Sequence, residues 1–315
     1  MESLRQDDPT HVGPYVTLAR LDAASAERAV PERRYLARGA DGERTVLVCV
    51  PRVGADPSRW ALEAEGARRL SPSLPRFLPV TEVGGTAGFP WYAVPYTPVL
   101  PLPAVLDAYG GPLPEEYVRG LGAALAQALA AAHAQGVAHA GLSPAAVLLT
   151  AGGPLLGCFG AARAAAPDGV HRAGLPGLDP GCLAAETASG GRPGPPGDIF
   201  ALGAVLAYAA TGHTVPERSE LPPGLRDLIG ACLSSDPGTR PGSAQELHRM
   251  LTTPAPGTGP TWEDAAAPVA TVLDHAVAPA APGRVVAALA AQSARLLAAE
   301  LPAPRDSFPP ALKVH

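Results

Sequence analysis

The sequence predicts an α+β protein, with a small β-rich first part and a larger, mainly helical second part. Two observations carry this expectation. Short strand-like runs crowd the first part: Tyr15-Val16-Thr17-Leu18, Tyr35-Leu36-Ala37-Arg38 and, strongest of all, Thr45-Val46-Leu47-Val48-Cys49-Val50. Beyond them an Ala/Leu stretch places Leu121, Leu125 and Leu129 four apart, on one apolar stripe of a helix.

Taken in order, residues 1–13 read as a flexible lead-in and Gly39-Ala40-Asp41-Gly42 as a turn. A helix is expected from about Pro57 to Leu70, then strands at Leu78-Pro79-Val80 and Trp91-Tyr92-Ala93-Val94. Leu102 to Tyr109 suits a short helix, and Leu113-Pro114-Glu115-Glu116 begins the long one, with Gly136 at its C-cap. A short apolar piece then ends in His139, followed by a turn containing Pro144 and by Val147-Leu148-Leu149. Gly152-Gly153 makes a second turn before Leu155-Leu156 and Gly157-Cys158-Phe159-Gly160.

Composition excludes several classes of function. A formal net charge of −5 gives no reason to expect nucleic-acid or acidic-membrane binding. No run of about 18 apolar residues suggests a membrane span, and the charged start MESLRQDDPTHVGPY has no signal-peptide core, so a cytoplasmic protein is expected. Cys49, Cys158, Cys182 and Cys232 lie far apart, which suits reduced, buried thiols. His133 and His139 are six apart across a helix end, unlike an on-helix metal pair, so His139 is read as a core residue.

The order helix, loop, hairpin, Phe-Gly resembles the core of the bacterial serine/threonine protein kinases of Hanks type. That family reads H-R-D-L-K-P-x-N-V-L-L and then D-F-G. His139, Leu142, Pro144, Val147, Leu148, Leu149, Phe159 and Gly160 keep the frame. The chemically active letters differ: Ala140 and Gly141 stand for Arg and Asp, Ser143 for Lys, Ala146 for Asn, and Cys158 for the Asp of D-F-G. The resemblance spans about residues 14–251 and implies a bilobal protein-kinase-like fold. It places an N-lobe at 14–98 and a C-lobe at 99–251, followed by a Pro/Gly linker at 252–260 and a helical extension at 261–315.

In the N-lobe the family's phosphate-covering loop is glycine-rich. Here it reads Leu21-Asp22-Ala23-Ala24-Ser25-Ala26-Glu27, whose side chains obstruct close backbone approach and whose carboxylates would repel phosphate. The V-A-I-K lysine becomes Cys49. Its usual partner on the next helix, Glu63, is left to face solvent or an arginine. Tyr96-Thr97-Pro98 falls at the hinge. With Cys49 and Cys158 both at pocket-lining positions of the family, two thiols are expected in one cleft without a disulfide.

In the C-lobe, Gly197-Asp198-Ile199-Phe200-Ala201-Leu202-Gly203 matches S-D-V-F-S-L-G, which implies that Asp198 binds the backbone of the catalytic-type loop. Arg240 of Asp236-Pro237-Gly238-Thr239-Arg240-Pro241 would pair with Glu186, the Glu of A-P-E. The would-be activation segment, Ala161 to Leu183, has no Ser, Thr or Tyr, so no phosphorylation switch resides there. Its Arg163, His171 and Arg172 are expected on a solvated surface. Two helical patterns, Trp262 to Val277 and Val285 to Leu301, close the chain.

Scaffold residues Glu63, His139, Phe159, Gly160, Glu186, Asp198 and Arg240 are thus kept. Gly141, Ser143, Ala146, Cys158 and Cys49 leave no catalytic, cofactor or metal residue. The reading this favours is a regulatory pseudokinase, not an enzyme. It would bind a protein partner, with ATP and magnesium absent or weak, and the sequence leaves the partner and the oligomeric state open. The alternatives are a serine/threonine kinase with residual or atypical ATP-dependent activity, and a nucleotide-binding switch.

Overall fold

A computed structural model of the chain describes residues 1–22, 30–253 and 280–299. The first part is an antiparallel sheet of β1 (His11–Val12), β2 (Tyr15–Arg20), β3 (Glu32–Gly39), β4 (Thr45–Pro51), β5 (Glu82–Thr86) and β6 (Phe89–Pro95), in the order β1-β2-β3-β4-β6-β5. Period-two alternation sorts its residues. Tyr35, Ala37, Val46 and Val48 pack on the outer face, while Leu36, Leu47 and Cys49 pack on the inner one. Helix α1 (Pro57–Leu70) starts where the Asp56 carboxylate accepts from the backbone N–H groups of Ser58 and Arg59, with Pro57 at its first turn. It lays Trp60 and Ala64 under the sheet, where Trp60 stacks on Tyr92 with ring centroids 5.4 Å apart.

Two expectations for this lobe change. The strand before β6 is Glu82–Thr86, not Leu78-Pro79-Val80. Leu78 instead donates its N–H to the Leu156 carbonyl at 2.9 Å, and both Leu78 and Val80 are buried beneath the sheet. The lead-in packs rather than dangles: Glu2 exchanges backbone bonds with Arg20, and buried Asp8 accepts from Arg20 at 2.8 Å and from the Tyr35 hydroxyl at 2.7 Å.

The second part holds β7 (Leu100–Pro101), α2 (Leu102–Tyr109), α3 (Glu115–Ala134), β8 (Val147–Thr150) and β9 (Gly153–Leu156). It continues with α4 (Ala161–Ala165), α5 (Ala185–Ala188), α6 (Pro195–Thr211), α7 (Arg226–Cys232) and α8 (Ala244–Thr252). Strands β7, β8 and β9 form a small sheet in that order. Helix α3 buries Leu121, Leu125 and Leu129, and its small residues let α6 and α8 come close. A Cβ on Gly122 would lie 2.8 Å from Leu206 and 3.1 Å from Leu251, so a larger residue at that crossing would have to push those leucine side chains aside.

The segment from Trp262 to Val277 and the linker beyond residue 253 lie outside the described residues. The second helical pattern is α9 (Gly283–Leu297). Its Val285 and Leu289 join the core of the helical lobe, while Leu296 joins the cluster beneath the N-lobe sheet.

The fold positions its loops with buried arginines. Arg240 donates to Glu186 at 2.6 and 3.1 Å and to the carbonyls of Ser234 and Pro196, and it lies 5.1 Å over the Phe200 ring. Arg172, expected on a solvated surface, is fully buried. It donates to the carbonyls of Ala162, Ala166, Thr187 and Gly191 and to Asp168, while its neighbour His171 is exposed. Its five donors fasten both ends of the activation segment, so a hydroxyl-free segment is ordered without phosphate. Arg240→Ala should lower stability by about 3 kcal/mol, because Glu186 and several carbonyls lose their buried donor. Chemical denaturation checks this, and Glu186→Ala should cost a similar amount, since it strands the fully buried Arg240 guanidinium without its carboxylate.

Candidate functional site

The catalytic-type loop hangs from Asp198. Buried at the start of α6, this carboxylate accepts from His139 N at 2.7 Å, Ala140 N at 2.8 Å and His133 Nε2 at 2.8 Å. Ala140 and Cys158 are held at φ 54° and 58°, a left-handed conformation that L-residues rarely adopt. Backbone bonds hold both turns in place: Gly160 N to His139 O at 2.8 Å and Ala162 N to Ala140 O at 2.7 Å. The same closure decides Gly141, since a Cβ there would lie 2.0 Å from the Cys158 carbonyl oxygen. Gly160 is likewise obligatory, with φ 73° and the Glu63 carboxylate 2.0 Å from where a Cβ would stand.

The His139 ring sits between Phe77 and Phe159, at centroid distances of 5.5 and 6.0 Å. Both ring nitrogens are buried. Burial pulls its pKa down to about 4, so the ring is neutral and serves as packing. Glu63 meets an arginine, one of the two outcomes expected for it: Arg163 donates to it at 2.8 to 3.0 Å and also to the Ala138 carbonyl at 3.0 Å. Arg163 therefore ties α1 to the loop rather than facing solvent, and its guanidinium lies 4.9 Å over Phe159.

Under the sheet lies a group that pattern reading missed. Arg34 of β3 pairs directly with Cys49 of β4, so the two side chains share the inner face. Arg34 is buried. Its Nε donates to Asp22 at 2.8 Å, Nη2 donates to the same carboxylate, and Nη1 faces the Cys158 sulfur at 4.0 Å. Burial opposes the charge, but Asp22 outweighs it and holds the guanidinium firmly protonated. Asp22, expected to repel phosphate, is thus neutralised by Arg34; Glu27 lies outside the described residues.

Glu32, two residues back on the same face, accepts from Tyr92 at 2.7 Å and faces the Cys158 thiol at 3.6 Å. Burial raises its pKa, as it does those of Cys49 and Cys158. All four cysteines are free thiols. The signal that could have exposed Arg34 is its spacing: it stands two residues before Leu36 in a strand whose alternate residues are buried.

The loop also borders a small recess lined by Gly141, Leu142, Ser143 and Asp179. Ser143 accepts from Ala146 N at 3.3 Å, which caps the turn, so neither reaches toward a ligand. The positions Ala146 and Cys158 offer a magnesium ion a methyl group and a buried neutral thiol, not the hard oxygens it needs. These residues do not fit that ion.

No family model matches the chain. Its sequence is 33% identical over 285 residues to a probable serine/threonine-protein kinase, PkwA, of Thermomonospora curvata, covering 83% of this chain and 37% of that protein. It is 32% identical over 273 residues to the serine/threonine-protein kinase AfsK of Streptomyces griseus, covering 80% of this chain and 33% of that one. The fold matches the crystal structure of the Mycobacterium tuberculosis PknI kinase domain, with a TM-score of 0.52 and 23% identity over 76% of this chain and 94% of that domain.

The chain belongs to the bacterial serine/threonine protein kinase family. It spans about a third of the length of the curated relatives it matches. These relatives overturn the expectation that the chain is no enzyme: three at 31–33% identity are named serine/threonine protein kinases. The missing letters argued otherwise because they weigh each position alone. Among the described residues, no helix is long and apolar enough to cross a membrane.

The buried histidine sets a pH dependence. Between its depressed value near 4 and the ordinary 6.5, the unfolded chain binds more protons at this site than the folded one. Stability contributed here is therefore complete above about pH 6.5 and falls by roughly 3 kcal/mol as pH drops through that window. His139→Leu should flatten the slope of unfolding free energy over pH 4 to 6.5, as read by denaturant titrations at several pH values.

Proposed function

We propose that this chain is an ATP-dependent serine/threonine protein kinase of atypical construction. The observation that carries the reading is Arg34, which brings a permanent cation to the position beside Cys49 where the family's strand lysine would act. Its Nη1 points along the inner face toward Cys158, the position of the D-F-G carboxylate, and a thiol is a weak acceptor that a phosphate oxygen would displace. An arginine matches phosphate bidentately, so the replacement preserves charge and adds directional donors. The names of the relatives support the same class of reaction, with a protein hydroxyl as acceptor.

Phosphoryl transfer depends chiefly on positioning and charge stabilisation, which Arg34 and the fixed loop backbone supply. Gly141 offers no side-chain base, and a positioned base is worth about 10²–10⁴-fold in rate. Turnover should accordingly be slow.

Transfer of the γ-phosphate to a Ser/Thr peptide library at millimolar ATP, followed by mass spectrometry, tests the reading. Slow transfer is expected in the native chain and in Arg34→Lys. It should be lost in Arg34→Met combined with Asp22→Asn, which removes the cation together with its partner. Native protein that transfers no more phosphate than this double variant would sink the proposal.

A further inference from the structure

The nucleotide cleft of this fold lies between the N-lobe sheet and β8, behind the hinge. In this chain it is filled from within. Leu21, Leu36 and Leu47 beneath the sheet and Leu148 of β8 are each at most 3% exposed, and Leu296 of α9, 2% exposed, belongs to the same buried cluster. Four residues earlier on the helix, Gln292 engages Tyr96 of the hinge and Val99 just past it. Its Nε2 donates to the Val99 carbonyl at 2.8 Å, while its Oε1 accepts from Val99 N at 3.0 Å and from the Tyr96 hydroxyl at 3.2 Å. A carboxamide that donates to and accepts from one backbone residue offers the same paired pattern as the edge of an amide-bearing heterocycle.

The helix is also secured at both ends. Arg284 donates to the Tyr109 carbonyl of α2, and Arg38 of β3 donates to the carbonyls of Leu296 and Ala299 at 2.6 and 3.0 Å. Val285 and Leu289 are buried in the C-lobe core, so one helix bridges both lobes across the hinge.

We propose that α9 is an intramolecular plug of the cleft: Gln292 occupies hinge polar groups, Leu296 fills apolar space beneath the sheet, and adenine-containing ligands bind only when the helix withdraws. Gln292 carries the argument. A buried carboxamide costs free energy unless each polar atom is bonded, and among the described residues Tyr96 and Val99, at the hinge and just past it, satisfy this one. The chain thereby holds its own inhibitor, and ligand affinity is reduced by the fraction of molecules whose helix is displaced. The inference rests on the kinase reading only for its consequence, the suppression of transfer, and not for the occupancy itself.

The test uses the full chain with Leu296→Asp, Gln292→Ala and the milder Arg38→Ala. Adenosine and ATP binding are measured by calorimetry, and hydrogen exchange is followed across Gly283–Leu297. Release of the helix in Leu296→Asp, seen as faster exchange there with the melting transition retained, should raise adenosine affinity at least tenfold. Adenosine added to the native chain should speed exchange in the same segment. A helix that is released without any gain in adenosine affinity overturns the plug, whatever the transfer assay gives. Adenosine affinity that rises while no variant transfers phosphate upholds the plug and fails the kinase reading alone. Should Leu296→Asp not fold, Gln292→Ala and Arg38→Ala must show the same direction of change, and their binding adenosine no better than native protein overturns the proposal equally.

Discussion

The Asp198 carboxylate is the contact on which the rest of the site depends. Two backbone N–H groups of the loop, at His139 and Ala140, have no strand or helix to receive them, and burial makes an unmet donor costly. Asp198 takes both. With Ala140 fixed in its left-handed turn, the loop closes on the Phe-Gly segment, His139 settles between two phenylalanines, and Gly141 is pressed against the Cys158 carbonyl. One side chain thereby sets a column of packing residues and the shape of the recess beside it.

Charge in the cleft follows a second constraint. An isolated buried guanidinium is not tolerated, so Arg34 and Asp22 are buried together, and Glu32 is left in an apolar site that favours its protonated form. The pair places a guanidinium on β3, opposite Cys49 of β4, with its charge balanced by Asp22. Cys49 and Cys158 become apolar lining around it, their thiols pushed toward the neutral form.

Helix α9 adds a third layer of control. Its apolar residues divide between two cores, and its buried carboxamide finds partners in Tyr96 and Val99. A segment that packs on both lobes resists their relative movement, so the same contacts that stabilise the fold restrict access to the cleft.

Residue pattern alone was enough for the α+β class, the long helix through Leu121, Leu125 and Leu129, the helix Pro57–Leu70 and the frame of His139, Phe159 and Gly160. These are legible because they rest on local periodicity, caps and spaced motifs. It also pointed to Asp198 and to the pairing of Arg240 with Glu186, since both follow from motif positions. Partnerships between distant residues were decided only by tertiary structure. Arg34 opposite Cys49 needs the strand register, Arg172 needs four carbonyls from separate turns, and Glu63 needs Arg163 a hundred residues away. Gln292 at the hinge is the extreme case: a polar residue in an Ala-rich helix looks like surface until the fold brings Val99 against it, because hydrogen-bond satisfaction is a property of packed neighbours and not of sequence.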